Sequence, residues 1–143
     1  MNIVILAAGQ GKRMQSELPK VLHPIAGRPM LSHVLASALP LSEKQDMVVV
    51  IGHASQAVIE FLNTIDWPVK TAVQSEQKGT GHAVLQTIDL LDDGAPTLIL
   101  YGDVPLIQTQ TLTRLAALAS QGGLALLTQK MTDPTGYGRI VRN

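Results

Sequence analysis

Cysteine is absent from this sequence of 143 residues, which excludes disulfide bonds and metal sites built from thiolates. Neither sign of charge is in excess, because 11 Lys and Arg balance 11 Asp and Glu. This neutrality argues against a partner held mainly by charge, such as duplex nucleic acid or an anionic membrane. The longest apolar runs are far shorter than a membrane span, and no signal sequence precedes the first of them. We therefore predict a cytoplasmic protein with neither nucleic acid nor membrane as a partner.

Several common catalytic signatures are also missing. The sequence has no Gly-x-Ser-x-Gly motif and no cysteine that could act as a nucleophile. Its four histidines form no pair at positions i and i+4 and have no nearby pattern of carboxylates, which argues against a zinc site. His33 lies within a predicted helix, where we expect a structural role.

Four continuous apolar runs predict the strands of a buried sheet. They are Ile3–Ala7, Met47–Ile51, Val69–Val73 and Thr97–Tyr101. Continuous rather than alternating apolar residues are typical of parallel strands that helices cover on both faces.

Segments with helical periodicity lie between these apolar runs. The predicted helices are Met30–Leu39, Ser55–Leu62, Gly81–Leu91 and Thr109–Ala119, and a fifth strand is predicted at Leu124–Thr128. Strands and helices then alternate along the chain, which predicts one three-layer α/β/α domain with a Rossmann-like, mostly parallel sheet and right-handed crossovers.

A turn-rich segment, Asp133–Arg139, leads into what reads as the start of another strand at Ile140–Arg142. A strand needs a neighbour to pair with. We therefore expect the chain to be the N-terminal part of a larger domain, with a shorter natural homologue as the alternative.

The segment Leu6–Met14, directly after the first predicted strand, combines small residues with positive charge. Gly9 and Gly11 allow backbone angles closed to other residues, and the bare backbone around them offers N–H and C=O groups to a flat base. Arg13 and Lys20 supply cations a few residues further on. This combination favours a nucleotide, with its base against the backbone and its phosphates over the cations.

That loop fits neither of two well-known nucleotide motifs. A P-loop would need Ser or Thr after Lys12, where this chain has Arg13. A dinucleotide fingerprint would need a third glycine, where it has Met14. A plain surface turn with solvated charges is the alternative.

The loop after the third predicted strand carries a second set of polar groups. Gln74 has a donor and an acceptor on one amide, as the edge of uracil or thymine requires. Gly79–Gly81, at the start of a predicted helix, can offer N–H groups to a base or a phosphate. The alternative is an ordinary helix cap by Thr80, with the glycines serving turn geometry.

An acidic residue, Asp103, follows the fourth predicted strand and the adjacent Gly102. Mg²⁺ prefers one or two protein carboxylates, with water and phosphate oxygens completing its octahedron. The position of Asp103 therefore predicts a magnesium ligand. Capping of the following turn is the alternative, because Asp is common near Pro.

Together these motifs give the chain a recognisable resemblance. The matching segments are Leu6–Met14, Leu18–Lys20, Gly27–Met30, Gln74, Gly79–Ala83, Tyr101–Leu106 and Asp133–Ile140. The chain resembles the sugar-nucleotide pyrophosphorylases, which have the nucleotide-diphospho-sugar transferase type of fold. Within them it is similar to the N-terminal uridyltransferase domain of the bacterial bifunctional enzymes that make UDP-N-acetylglucosamine.

The resemblance implies how matching residues would bind UTP. The uridine would be contacted by Leu6, Ala7, Ala8 and Gly9, and its uracil would be read by Gln74, Gly79 and Thr80. Arg13 and Lys20 would be the catalytic cations, in contact with the phosphates of UTP and pyrophosphate.

The rest of the site is implied in the same way. Tyr101 and Gly102 would line the nucleoside and sugar pocket, Asp103 would bind the cofactor Mg²⁺, and Gly138 would contact N-acetylglucosamine. One departure is visible, since Lys12 stands where the family usually carries Thr. That change adds charge near the phosphates without removing a ligand.

The implied reaction joins UTP and N-acetylglucosamine 1-phosphate to give UDP-N-acetylglucosamine and pyrophosphate. The family's domain continues beyond the matching segments with further sugar and metal ligands. A left-handed β-helix acetyltransferase domain then follows, through which the whole protein would form a homotrimer. Neither of these parts is in this sequence.

Three other interpretations of function remain open. The first is a uridylyl-, thymidylyl- or guanylyltransferase acting on another phosphorylated compound. The second is a UTP-binding module without turnover. A dehydrogenase is the weakest, since the third glycine is missing and no acidic residue ends the second strand.

Overall fold

The computed structural model describes residues 1–9, 11, 14–42, 47–52 and 55–141. Its strands are β1 (Asn2–Leu6), β2 (Pro24–Ile25), β3 (Arg28–Pro29), β4 (Met47–Gly52), β5 (Val69–Gln74) and β6 (Thr97–Tyr101). Its α-helices are α1 (Met30–Ala38), α2 (Gln56–Thr64), α3 (Thr80–Leu85) and α4 (Thr109–Ala119). Short 3₁₀ helices occupy Lys20–Leu22, Leu39–Leu41 and Ile88–Leu90. No helix in the described ranges is long and apolar enough to cross a membrane.

The predicted Rossmann-like sheet is confirmed, with four parallel strands in the order β5-β4-β1-β6. Along the chain, β4 pairs with one side of β1 and β5 pairs with β4. The last strand, β6, then pairs with the other side of β1. The sheet register pairs Leu6 with both Val50 and Tyr101, so the carboxyl ends of the three strands lie level. Ligands bind outside the carboxyl ends of such sheets, beside the strand where the order reverses.

Two apolar clusters hold helices on opposite faces of the sheet. On one face, Ile3 and Ile5 of β1 are fully buried in a cluster that includes residues of α1, α2 and α4. On the other face, Val4 and Val50 pack with Ala83 of α3. Three layers therefore form, and among the described residues the helix on this second face is the six-residue α3.

Burial along the strands differs between the middle and the edges of the sheet. The prediction of continuous burial is confirmed for β1 and β4. It is wrong for β5 and β6, where buried and exposed residues alternate and Val73 and Ile99 are 50% and 45% exposed. Leu98 and Leu100 of β6 belong to the larger apolar cluster, whereas Ala72 and Gln74 are the buried residues of β5.

The end of the third helix was also predicted wrongly. The helix expected at Gly81–Leu91 ends at Leu85 and is followed by a 3₁₀ turn. The Thr87 hydroxyl donates to the Val84 carbonyl at 2.7 Å. Such a local bond from a Thr side chain competes with continued helix.

The fifth strand predicted at Leu124–Thr128 is wrong, because these residues form no strand. Leu124–Leu127 instead lie along a groove of about 310 Å³ whose other walls are β6 and α4. Ile140 and Val141 are not in a strand either, and Arg142 lies outside the described residues. A strand requires a paired neighbour, and apolar character alone does not supply one.

The β2–β3 hairpin has no counterpart among the predicted elements. Its turn residues, Ala26 and Gly27, both have positive φ, at +48° and +78°, as a two-residue hairpin turn of primed type requires. The ring of His33 in α1 contacts the Ile25 carbonyl at 2.8 Å and the Arg28 guanidinium at 3.1 Å. These contacts confirm the structural role expected for His33.

Candidate active site at the carboxyl ends of the strands

An open cleft of about 710 Å³ lies at the carboxyl ends of β1, β5 and β6. This volume is within the range of small-molecule sites in proteins. The residues that line it are Leu6, Ala8, Gly9, Gly11, Met14, Lys20, Val21, Gln74, Gln77, Gly79, Thr80, Ala83, Tyr101 and Asp103.

Most of the predicted site residues meet in this cleft. Those that line it are Leu6, Ala8, Gly9, Lys20, Gln74, Gly79, Thr80, Tyr101 and Asp103. Ala7, Gly102 and Gly138 do not line it, and Arg13 lies outside the described residues, as does Lys12. The loops after three different strands therefore converge on one space, although they are far apart in sequence.

Lys20 is held at the cleft by the burial of the residues that follow it. Val21 and Leu22 are buried in the larger apolar cluster, which fixes the 3₁₀ turn that begins at Lys20. Gly11 packs against the other side of Lys20. A Cβ on Gly11 would stand 2.8 Å from the Lys20 Cβ, and its φ of +57° favours glycine as well.

The Lys20 ammonium donates a hydrogen bond of 2.7 Å to Oδ2 of Asp103. Asp103 reaches this position because the Gly102 N–H bonds to the Leu6 carbonyl at 2.9 Å, which extends the β1–β6 pairing to the start of the loop. Among the described residues, the carboxylate bonds to Lys20 and not to a backbone N–H of the turn. The turn-capping alternative for Asp103 is therefore not what the structure contains.

Gly102 and Ala7 lie behind the wall of the cleft. A Cβ on Gly102 would stand 3.1 Å from the Leu6 carbonyl oxygen, 3.2 Å from Val21 Cγ1 and 3.5 Å from Ala7 Cβ. Glycine at 102 thus lets β6 approach β1 and the segment that carries Lys20. A direct contact of Gly102 or Ala7 with a ligand stays a prediction.

Gln74 and Gly79 organise the loop after β5. Gln74 is 4% exposed, and its Nε2 donates to the Gly79 carbonyl at 3.1 Å. Gly79 has φ +97° and immediately precedes α3, which begins at Thr80 and has no capping bond from a side chain. The interpretation of Thr80 as an ordinary helix cap is therefore not supported by the structure.

A residue that the sequence did not single out, Gln77, ties two of these loops together. Its Nε2 donates to the Ala8 carbonyl at 2.6 Å, across 69 positions of sequence. Gln77 also lines the cleft. No motif marks this contact, because a loop glutamine carries no periodic or spacing signal.

The two glycines of the first loop differ from each other. Gly11 uses the backbone freedom of glycine, with a φ of +57°, whereas Gly9 is not among the residues with positive φ. A Cβ on Gly9 would meet nothing within 4 Å. The bare backbone at Gly9 therefore opens the cleft and does not shape the turn.

Gly138 follows a turn that does not line the cleft. The Tyr137 N–H bonds to the Pro134 carbonyl at 3.0 Å, and the Thr135 N–H bonds to Asp133 Oδ1 at 3.0 Å. Hydrogen bonds from the Thr135 hydroxyl and then from its backbone N–H lower the pKa of Asp133 below 3.8. The sugar contact implied for Gly138 stays a prediction.

The donor set of the cleft matches a hard divalent cation that also binds phosphate. Asp103 is the one carboxylate among the lining residues, and the described residues contain no group of three or more His, Cys, Asp or Glu arranged to hold a metal. Mg²⁺ and similar ions are commonly held by one or two carboxylates and by the phosphates of a substrate. Asp103, together with the phosphates of a substrate, would fit this mode of metal binding.

The sequence matches the MobA-like NTP transferase domain family over residues 3–139. It is 59% identical, over all 143 residues, to the bifunctional protein GlmU of Cupriavidus necator. The chain covers 31% of the length of that relative.

Solved structures with similar folds have lower sequence identity. Rv0371c from Mycobacterium tuberculosis superposes with a TM-score of 0.70 at 23% identity, over 84% of this chain and 60% of that one. Its complex with manganese gives a TM-score of 0.67 at 21% identity, over 84% and 59%. UDP-glucose pyrophosphorylase complexed with UDP-glucose gives 0.66 at 20% identity, over 84% and 53%.

Proposed function

Since the chain belongs to the MobA-like NTP transferase domain family, we propose that it transfers uridylate from UTP to N-acetylglucosamine 1-phosphate. The products are UDP-N-acetylglucosamine and pyrophosphate. The observation that carries the proposal is the meeting of Lys20 and Asp103 at 2.7 Å in a cleft that Gln74, Gly79 and Thr80 also line. A phosphate-binding cation, a metal-binding carboxylate and base-reading groups are thus within reach of one nucleotide.

In this proposal the uracil lies toward α3 and the phosphates toward Lys20. Gln74 and the backbone around Gly79 and Thr80 meet the base, because the first turn of a helix leaves N–H groups without partners. Leu6, Ala8 and Gly9 offer backbone to the uridine. Arg13 is assigned to the phosphates together with Lys20, because its motif resembles that of the sugar-nucleotide pyrophosphorylases.

The reaction needs no covalent enzyme intermediate, because the nucleophile is already an anion. A phosphate oxygen of the sugar 1-phosphate attacks the α-phosphorus in line, and the bond from that phosphorus to the bridging oxygen of pyrophosphate breaks. Two unit charges of like sign 4 Å apart repel by roughly 4 kcal/mol at an effective dielectric constant of about 20. Lys20 and Arg13 lower this repulsion and stabilise the charge that grows on the leaving pyrophosphate.

Asp103 is the residue that would hold a divalent cation, and we propose Mg²⁺. When bound, the ion supplies charge neutralisation and orientation of the α-phosphate. A manganese complex of a protein with the same fold supports a divalent ion of this type.

The wider assignments belong to the same proposal. The relative from C. necator is a bifunctional protein of which this chain matches 31%, so a longer protein, homotrimeric through its C-terminal domain, is proposed by analogy. A cytoplasmic location accompanies the proposal, because both substrates are polyanions that cannot cross a bilayer unaided.

The test is a nucleotide panel on the 143-residue chain, followed by an assay of pyrophosphate release. We expect UTP to bind more tightly than GTP, CTP or ATP in isothermal titration calorimetry with Mg²⁺ present. We expect pyrophosphate to be released with N-acetylglucosamine 1-phosphate as acceptor, and Asp103→Asn to weaken the dependence of the rate on Mg²⁺. Tightest binding of GTP favours a guanylyltransferase, and UTP binding without turnover here or in a longer form favours a binding module.

A further inference from the structure

The orientation of the Gln74 amide is fixed by its surroundings. Its Nε2 lies 3.1 Å from the carbonyl oxygen of Gly79, which can only accept a hydrogen bond. The amide nitrogen must therefore point toward Gly79. This contact settles an assignment of N and O that is otherwise ambiguous for a glutamine side chain.

The second N–H of the same amide points to His82. Nδ1 of His82 lies 3.1 Å from Gln74 Nε2, and it can accept only if the ring proton is on Nε2. At the far side of the ring, Gln86 Nε2 stands 3.4 Å from His82 Nε2 and donates to the His82 carbonyl at 3.1 Å. A neutral imidazole has one acceptor nitrogen, and the shorter contact assigns it to Nδ1.

With both N–H groups engaged, Gln74 has only its oxygen left for a ligand. Oε1 accepts no hydrogen bond from any of the described residues. Gln74 lines the cleft, so this oxygen is the part of the amide that is left to meet a ligand there. The side chain presents an acceptor and no donor, so the expectation that Gln74 offers both groups to the base is wrong.

We propose that His82 is a specificity-determining residue, which selects uracil over cytosine by holding Gln74 as an acceptor. Uracil carries a hydrogen on N3, which Oε1 can accept, whereas N3 of cytosine is itself an acceptor and meets Oε1 unfavourably. Two acceptors, the Gly79 carbonyl and His82 Nδ1, hold the amide nitrogen away from the base. Without His82 Nδ1 only the Gly79 bond opposes rotation of the amide, and the rotated amide presents its N–H groups to cytosine. The inference rests on the proposed use of UTP and adds a positioning residue that does not itself touch the base.

The test compares His82→Leu with His82→Asn in the 143-residue chain. Leucine keeps bulk and removes the acceptor, whereas Asn can place Oδ1 near the position of Nδ1. Calorimetric titrations with UTP and with CTP give the ratio of their affinities. We expect His82→Leu to lower the UTP preference roughly 5-fold, the scale of one hydrogen bond, and His82→Asn to retain it within about 2-fold.

A second measurement uses the unmodified chain and does not depend on the folding of a variant. Long-range ¹H–¹⁵N NMR correlations report the tautomer of His82, and we expect the proton on Nε2. A proton on Nδ1 overturns the inference.

The titration has two further outcomes that count against His82. Equal weakening of UTP and CTP binding in His82→Leu would mean a merely structural role, and unchanged affinities for both nucleotides would mean no role. Both leave the proposed function intact if the unmodified chain still prefers UTP. An unmodified chain that binds CTP as tightly as UTP contradicts the inference and the proposed function together.

Discussion

Lys20 and Asp103 are 83 positions apart in sequence, and their side chains meet at 2.7 Å across the cleft. Each side chain is partly exposed, at 39% and 34%, so the pair is accessible to ligands. A cation that binds Asp103 must compete with the Lys20 ammonium, unless phosphates draw the lysine away. Metal and nucleotide are therefore expected to load together.

Replacement of Lys20 by Met should separate the competition of Lys20 with a metal ion from its contribution to nucleotide binding. Lys20→Met is expected to raise the affinity for Mn²⁺ alone by up to about 5-fold, the upper range for an exposed ion pair, and to weaken UTP binding. Electron paramagnetic resonance of free Mn²⁺ measures the first change and calorimetry the second. Lys70→Met, in an exposed position of β5 outside the cleft, is the control. Lower Mn²⁺ affinity in Lys20→Met would contradict the competition.

Arg13→Ala should slow turnover in a form of the protein that releases pyrophosphate. Loss of one charge contact made in the transition state costs roughly 10²-fold in kcat. Arg114→Ala, at an exposed position of α4 that does not line the cleft, removes the same charge as a control. A kcat for Arg13→Ala within a few-fold of the unmodified enzyme would remove Arg13 from the mechanism.

Gly102→Ala should destabilise the fold. Its Cβ would stand 3.1 Å from the Leu6 carbonyl oxygen, on backbone that cannot move without breaking the β1–β6 pairing. The expected loss is about 1–3 kcal/mol in the free energy of unfolding, measured by urea denaturation. Gly81→Ala is the matched control, since a Cβ there meets nothing within 4 Å and its φ is not positive. Equal stability of the two variants would contradict this account of Gly102.

The turn at Asp133 should respond to acid. Its hydrogen bonds to Thr135 favour the carboxylate, so they are complete above pH 3.8 and are lost as the pH falls through the lowered pKa. The ¹³C NMR shift of the Asp133 carboxyl group should therefore titrate with a midpoint below 3.8. Thr135→Val removes the hydroxyl and keeps the backbone N–H, so its midpoint should move upward. A midpoint at or above 3.8 in the unmodified chain would contradict the assignment.

Apolar periodicity predicted the centre of the fold better than its edges. The runs at β1 and β4 are buried on both faces whatever lies beyond the sheet, so their pattern is unambiguous. The run at Leu124–Thr128 is equally apolar but has no paired neighbour, and it forms no strand. The sequence of one segment does not show whether another strand will pair with it.

The composition of the site was predictable because the carboxyl ends of parallel strands meet at one edge. That rule placed Gln74, Tyr101 and Asp103 together. It could not predict that Lys20 would pair with Asp103 or that Gln77 would bond to Ala8, because such contacts depend on loop paths. The rule also did not predict the contact between His82 Nδ1 and Gln74 Nε2.

The most direct test is a crystal structure of the chain with UTP and Mn²⁺, in which anomalous scattering locates the metal. The account predicts a manganese peak coordinated by the Asp103 carboxylate and by phosphate oxygens, with the uracil beside Gln74 and Lys20 turned toward the triphosphate. Manganese bound away from Asp103, or a triphosphate outside the cleft, would contradict it.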